Sequence, residues 1–177
     1  MRKRVLSIML FAAASGTVTA MADNAPLWLR DAAISPDGSR IAFTFKGDIY
    51  TVPTTGGKAS RLTALPSLEW APVWSPDGTK IAFATDRNGG SDIYIMGADG
   101  GHATRLTFDS ASETPEAFTP DGAEIVFSAA IQDAPSSVMF PTARLTEVYT
   151  VPAAGGRTRQ LLSTPAENIS YLSLIHI

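Results

Sequence analysis

Beyond residue 30 the apolar positions fall into short runs, β-branched and aromatic with partial alternation, each bounded by a turn signal. The clearest are Ile41-Ala42-Phe43, Ile81-Ala82-Phe83 and Ile125-Val126-Phe127. Each follows a Ser/Thr-Pro-Asp-Gly segment (Ser35–Gly38, Ser75–Gly78, Thr119–Gly122). In such a segment proline presets φ, aspartate tolerates the next position and glycine takes the left-handed conformation, so the chain must reverse. The pattern predicts a short strand before each turn and a second strand after it, at Arg40–Phe43, Lys80–Phe83 and Glu124–Phe127. A third strand is expected at Asp48–Val52, Asp92–Met96 and Glu147–Val151. A Gly-Gly turn then closes a hairpin onto a fourth strand at Arg61–Thr63, Arg105–Thr107 and Arg159–Leu162. No long amphipathic helix is evident after residue 22.

These elements form a repeat. Pro36, Pro76 and Pro120 are separated by 40 and 44 residues. A period of that length with four short antiparallel strands per unit is that of β-propeller blades. The fold class expected is therefore all-β, a partial β-propeller of about three four-stranded blades at about 28–65, 68–109 and 113–164, within an incomplete propeller over 23–172. Phe43, Phe83 and Phe127 share one repeat position, and Tyr50, Tyr94 and Tyr149 another. A residue recurring in every unit serves the unit, so both sets are expected to pack between blades. Trp70 and Trp74 are read the same way. The third unit carries a long insertion, Ser128–Thr146, a candidate contact surface on one face.

The first 22 residues stand apart. Arg2, Lys3 and Arg4 precede the apolar run Val5–Ala14, which is too short to span a bilayer, and Ala20-Met21-Ala22 ends the segment. That order is the order of a secretory signal peptide, so cleavage is expected after Ala22 and the protein is expected to be periplasmic or secreted. Cleavage removes three basic residues and shifts the formal net charge from −3 to −6. That balance argues against nucleic-acid binding. Cysteine is absent, which excludes disulfides and thiol chemistry. Three blades do not close a ring of four to eight, and Ser173–Ile177 fits no repeat position. The expectation is an incomplete propeller with a tail over 173–177 that is not native.

Candidate chemistry is sparse. His102 follows a Gly-Gly pair and is read as a surface turn residue, and His176 lies in the suspect tail. No nucleophile elbow, zinc signature, phosphate loop or dinucleotide fingerprint occurs. The loop Asp86–Asp92 has alternating oxygen side chains as calcium loops do, yet it lacks the closing glutamate and carries Arg87. A solvated hairpin loop is preferred. Asp37, Asp77 and Asp121 are read as turn formers. Asp48, Asp92 and Glu147 share a repeat position, where an acidic ring is the minor reading and capping or strand-edge roles the major one. No catalytic, cofactor-binding or metal-binding residue is assigned, and no cofactor is expected.

The unit Ser-Pro-Asp-Gly…Ile-Ala-Phe…Asp-Ile-Tyr…Gly-Gly…Arg-Leu-Thr resembles the propeller repeat of TolB and of tricorn-type proteases. Pro26–Gly57 and Arg144–Gly156 resemble most closely the exported bacterial tricorn-like serine peptidases. This resemblance implies a non-catalytic propeller that gates or guides peptide or protein substrates toward a separate peptidase region, often with a PDZ domain. The alternatives are a TolB-like periplasmic protein-binding propeller and the propeller of a prolyl-oligopeptidase-type hydrolase.

Overall fold

The computed structural model describes residues 28–130 and 146–162. Residues 1–22, expected as a signal peptide, most of the insertion, His176 and the tail 173–177 lie outside the described residues. Twelve strands follow one another: β1 Leu29–Ile34, β2 Arg40–Phe45, β3 Asp48–Pro53, β4 Ser60–Arg61, β5 Glu69–Trp74, β6 Lys80–Thr85, β7 Asp92–Gly97, β8 Gly100–Arg105, β9 Glu113–Phe118, β10 Glu124–Ala129, β11 Glu147–Pro152 and β12 Arg159–Leu162. They form three four-stranded antiparallel sheets, each built from four consecutive strands in sequence order. This is the all-β blade architecture that the repeat predicts.

Each Pro-Asp-Gly segment makes one turn with one set of bonds. In the first, Gly38 has φ 71° and its N–H donates to Ser35 O at 2.8 Å. The Asp37 carboxylate accepts from Ser35 Oγ at 2.6 Å and from Ser39 N at 3.0 Å, while Ser35 Oγ accepts from Arg40 N at 2.9 Å. Ser75-Asp77-Thr79 and Thr119-Asp121-Ala123 repeat the arrangement. Serine or threonine is thus needed before the proline, because its hydroxyl ties the aspartate to the start of the next strand.

The sheets pack face to face through alternate residues. Ile81, Phe83, Tyr94, Met96 and Trp74 of the second sheet meet Ala42 and Ile49 of the first. Its opposite face, with Ala82, Ile93, Ile95 and Leu106, meets Phe118, Ile125, Phe127, Tyr149 and Val151 of the third. The middle sheet is therefore covered on both sides, which is why β6 and β7 read as nearly unbroken apolar runs. Burying one such Phe or Ile is worth about 1.5–3 kcal/mol. The aromatics at the recurring repeat positions also pair across strands, with Phe83 and Tyr94 rings 6.1 Å apart and Phe127 and Tyr149 rings 5.6 Å apart. Phe43 and Tyr50 stack at 5.8 Å in the first sheet, on the face without a neighbouring blade among the described residues.

Several boundaries differ from expectation. β2, β6 and β10 run two residues further, to Phe45, Thr85 and Ala129, because their pairing with the third strand continues to the loop. β4 shrinks to Ser60–Arg61, and β8 starts at Gly100, inside the expected Gly-Gly turn. Thr63 and Thr107 fall beyond the strands. In the third sheet Tyr149 faces Gln160, where Tyr50 faces Arg61 and Tyr94 faces Arg105. The fourth-strand alignment by residue type, which matched Arg159 to those arginines, is thus off by one.

Candidate functional site

β1, β5 and β9, the first strand of each sheet, lie beside one another and form a continuous wall. Each carries a bulge opposite its sheet's phenylalanine: Asp31-Ala32 against Phe43, Ala71-Pro72 against Phe83, and Glu116 beside Phe127. Asp31 and Ala71 hold φ near +50°, a conformation that side chains with a Cβ resist. The third sheet has Pro115 at this position, where positive φ is impossible. The wall is tied across blades. Ala71 N donates to Asp31 Oδ2 at 3.3 Å, and Trp74 Nε1 donates to Ala33 O at 3.0 Å. Glu116 accepts from Ser128 Oγ at 2.8 Å. Asp31 and Glu116 therefore place carboxylates on the inner wall.

Asp48 and Asp92 do not form an exposed acidic ring. Both are buried and ion-paired across strands, Asp48 with Arg61 at 2.7 Å and Asp92 with Arg105 at 2.8 Å. The arginine Nε donates to the carbonyl of Thr63 or Thr107, whose hydroxyl in turn accepts from Ile49 N or Ile93 N. Asp-Ile-Tyr and Arg-Leu-Thr are thus two halves of a staple that holds the end of the outer strand to the third. The Asp48 hydrogen bond holds the Arg61 guanidinium above its ordinary pKa. In the third sheet Gln160 and Tyr149 bind Glu147 instead, and Leu162 stands where the threonine would be.

Two further carboxylates sit next to these staples, and sequence reasoning passed over both. Glu69 opens β5 and Glu113 opens β9, at equivalent positions, and each is wholly buried. Glu69 accepts from Ser67 Oγ at 2.5 Å, Thr85 Oγ1 at 3.3 Å and Arg87 at 3.3 Å. Arg87 also lies over Tyr94, 4.4 Å from the ring centre. At Glu113, Ala111 and Ala129 replace Ser67 and Thr85, and neither carboxylate oxygen has a hydrogen bond of normal geometry. Burial raises the Glu113 pKa to about 7; the Thr107 hydroxyl opposes the shift, and Asp92 adds to it. The signal for this pair is the 44-residue offset applied position by position.

The Asp86–Asp92 loop uses its oxygens on the protein. Asp86 Oδ1 accepts from Leu68 N at 2.8 Å, Asn88 donates to the Tyr94 hydroxyl, and Asp92 pairs with Arg105. Among the described residues no cluster of three or more His, Asp or Glu side chains gathers to hold a metal. His102 sits exposed on β8, on strand backbone where a turn was expected.

Two equivalent clefts open between the outer halves of adjacent sheets. The one between the first and second, about 270 Å³, is lined by Arg40, Lys58, Leu62 and Asp99. Arg40 crosses it to Asp99 at 2.7 Å and lies over Trp74, 5.0 Å from the ring centre. The one between the second and third, about 480 Å³, has Lys80, His102, Leu106 and Ala154 at the same repeat positions.

Residues 26–173 match the family model described as the tricorn protease N-terminal β-propeller domain. A relative is the tricorn protease homolog 1 of Streptomyces coelicolor, 40% identical over 65 residues, which are 37% of this chain and 6% of that protein. Among solved structures, a TolB from Agrobacterium tumefaciens superposes with a TM-score of 0.62 and 29% identity over 76% of this chain and 46% of that one. The tricorn protease superposes with a TM-score of 0.54 and 14% identity over 70% of this chain and 13% of that one, a likeness of fold. The chain thus spans a small part of the curated relative and under half of the TolB structure. With that match over most of its length, and the blades that the match requires, the chain belongs to the tricorn protease N-terminal β-propeller domain family.

Proposed function

We propose that this chain is the non-catalytic propeller segment of an exported tricorn-like serine peptidase, where it controls the access of peptide substrates. The family match over 26–173 carries this reading, and the 40% identity to a tricorn homolog supports it. The mechanism is steric. In a closed ring the wall of β1, β5 and β9 faces the axis, so an extended peptide passes along it and a folded protein is excluded. The cross-blade bonds of Asp31 and Trp74 hold that wall in one shape. Residues 1–22 act as a signal peptide that places the protein in the periplasm, and the catalytic region belongs to a longer parent protein. Among the described residues no helix is long and apolar enough to cross a membrane.

The test uses the parent protein. Ala32→Trp and Glu116→Trp narrow the wall without touching a core side chain. Degradation of an unfolded polypeptide is expected to slow several-fold while hydrolysis of a short chromogenic peptide stays within about twofold. Equal effects on both substrates sink the gating reading.

A second reading is a protein-binding propeller, favoured by the greater similarity to TolB than to the tricorn structure, 29% against 14% identity. Sequencing the gene beyond Leu172 separates the two. A peptidase region downstream supports the first, and a stop after the closing blade supports the second.

A further inference from the structure

The two inter-blade clefts are copies of one design that differ at one decisive position. In the first, the Arg40 guanidinium meets the Asp99 carboxylate supplied by the neighbouring sheet's turn. In the second, Lys80 stands at the Arg40 position and Ala154 at the Asp99 position, so the cation keeps the nearby Asp77 of its own turn but loses the anion across the cleft. His102 takes the place of Lys58 on the opposite rim and offers a ring N–H donor. Thr104 adds a hydroxyl, and the buried Ile95 and Leu106, both on the face towards the third sheet, form an apolar floor. Among the described residues no acidic side chain lines this cleft, in a chain whose formal net charge is −3. Its volume of about 480 Å³, against about 270 Å³ for its twin, is enough for one amino-acid side chain and part of a second.

We propose that the cleft between the second and third blades binds an acidic side chain of an extended peptide, its carboxylate taking at Lys80 the place that Asp99 takes at Arg40. A neighbouring apolar side chain of the peptide rests on Ile95 and Leu106. This subsite lies on the outer half of the blades, away from the wall of β1, β5 and β9, so it does not depend on passage through the ring and holds equally for a binding propeller. Charge complementarity selects the occupant, and the twin cleft shows the geometry. Asp99 is 95% exposed, so a carboxylate at this rim is only partly desolvated and contributes modestly.

The probe is acetyl-Ala-Leu-Glu-Leu-Ala-amide, whose glutamate is its only charge, titrated calorimetrically into the full chain at low ionic strength. Its glutamine analogue is the control. The glutamate peptide is expected to bind about twofold to fivefold more tightly than the analogue, and Lys80→Ala is expected to abolish that difference. Ala154→Asp restores the internal anion and is expected to do the same. Both positions are exposed, and Lys58→Ala, in the twin cleft, is expected to leave binding unchanged. Equal affinity of the two peptides, no measurable binding, or an Ala154→Asp variant that still prefers glutamate overturns the proposal. A glutamine peptide with a free C-terminus that binds as tightly as the glutamate peptide assigns the cleft to chain ends and overturns the side-chain reading.

Discussion

Glu113 is a wholly buried carboxylate at the blade interface with no hydrogen bond of normal geometry to either oxygen, and its pKa is raised from 4.5 to about 7, mainly by burial. Between those values the native chain holds a proton that the unfolded chain has released. Stability therefore falls as pH rises from about 4.5 through about 7, and is flat above. Glu113→Gln removes this component. It is expected to raise the melting temperature at pH 8, leave it nearly unchanged at pH 5 and flatten the slope between, all read by circular dichroism; an unaltered slope contradicts the assignment. The turn aspartates behave in the opposite sense. Hydrogen bonds from Ser35 and Ser39, and from Ser75 and Thr79, lower Asp37 and Asp77 to about 2, so what they add is present above 3.8 and is lost as pH falls through about 2. The turn role of these aspartates was legible, because Ser/Thr-Pro-Asp-Gly encodes its geometry in four adjacent residues. Glu113 was not, because its character depends on Ala111 and Ala129, remote positions that mean something only beside Ser67 and Thr85.

The staple belongs to the scale of the element. Thr107 is buried, and its hydroxyl is the acceptor for Ile93 N. Thr107→Val keeps the shape and leaves that N–H unpaired, an expected loss of about 1–3 kcal/mol by urea denaturation. Arg105→Ala strands the buried Asp92 carboxylate and is expected to cost more, about 3–5 kcal/mol. If Arg105→Ala is the milder of the two, the ion pair does not hold the strand. The second and third strands were legible from their apolar runs. The fourth strands were not, since β4, β8 and β12 carry few apolar residues and their ends are set by these side-chain bonds. The bulges at Asp31 and Ala71 were equally hidden, as alanine does not announce a positive φ and a lone aspartate does so only weakly.

For the whole molecule, stability resides in the contacts between successive blades, since each sheet alone cannot cover its faces. That stacking was legible in the 40- and 44-residue spacing before any strand was placed. Ile34, Trp74 and Phe118 measure it, because they occupy one position, the last residue of the first strand of each sheet. Ile34 is 65% exposed, Trp74 8% and Phe118 6%, following whether another described sheet packs on that side. Trp74 also lies beneath Arg40 and bonds Ala33 O across the interface. Trp74→Ala and Phe118→Ala are therefore expected to cost about 3–5 kcal/mol each in urea denaturation of the chain. Ile34→Ala is expected to stay within about 0.5 kcal/mol. The inequality is the informative part. If Ile34→Ala proves as costly as the other two, the face of β1 is covered in solution by a further part of the protein. The first sheet would then have a blade on each side, as the middle sheet already has, and would not be an edge.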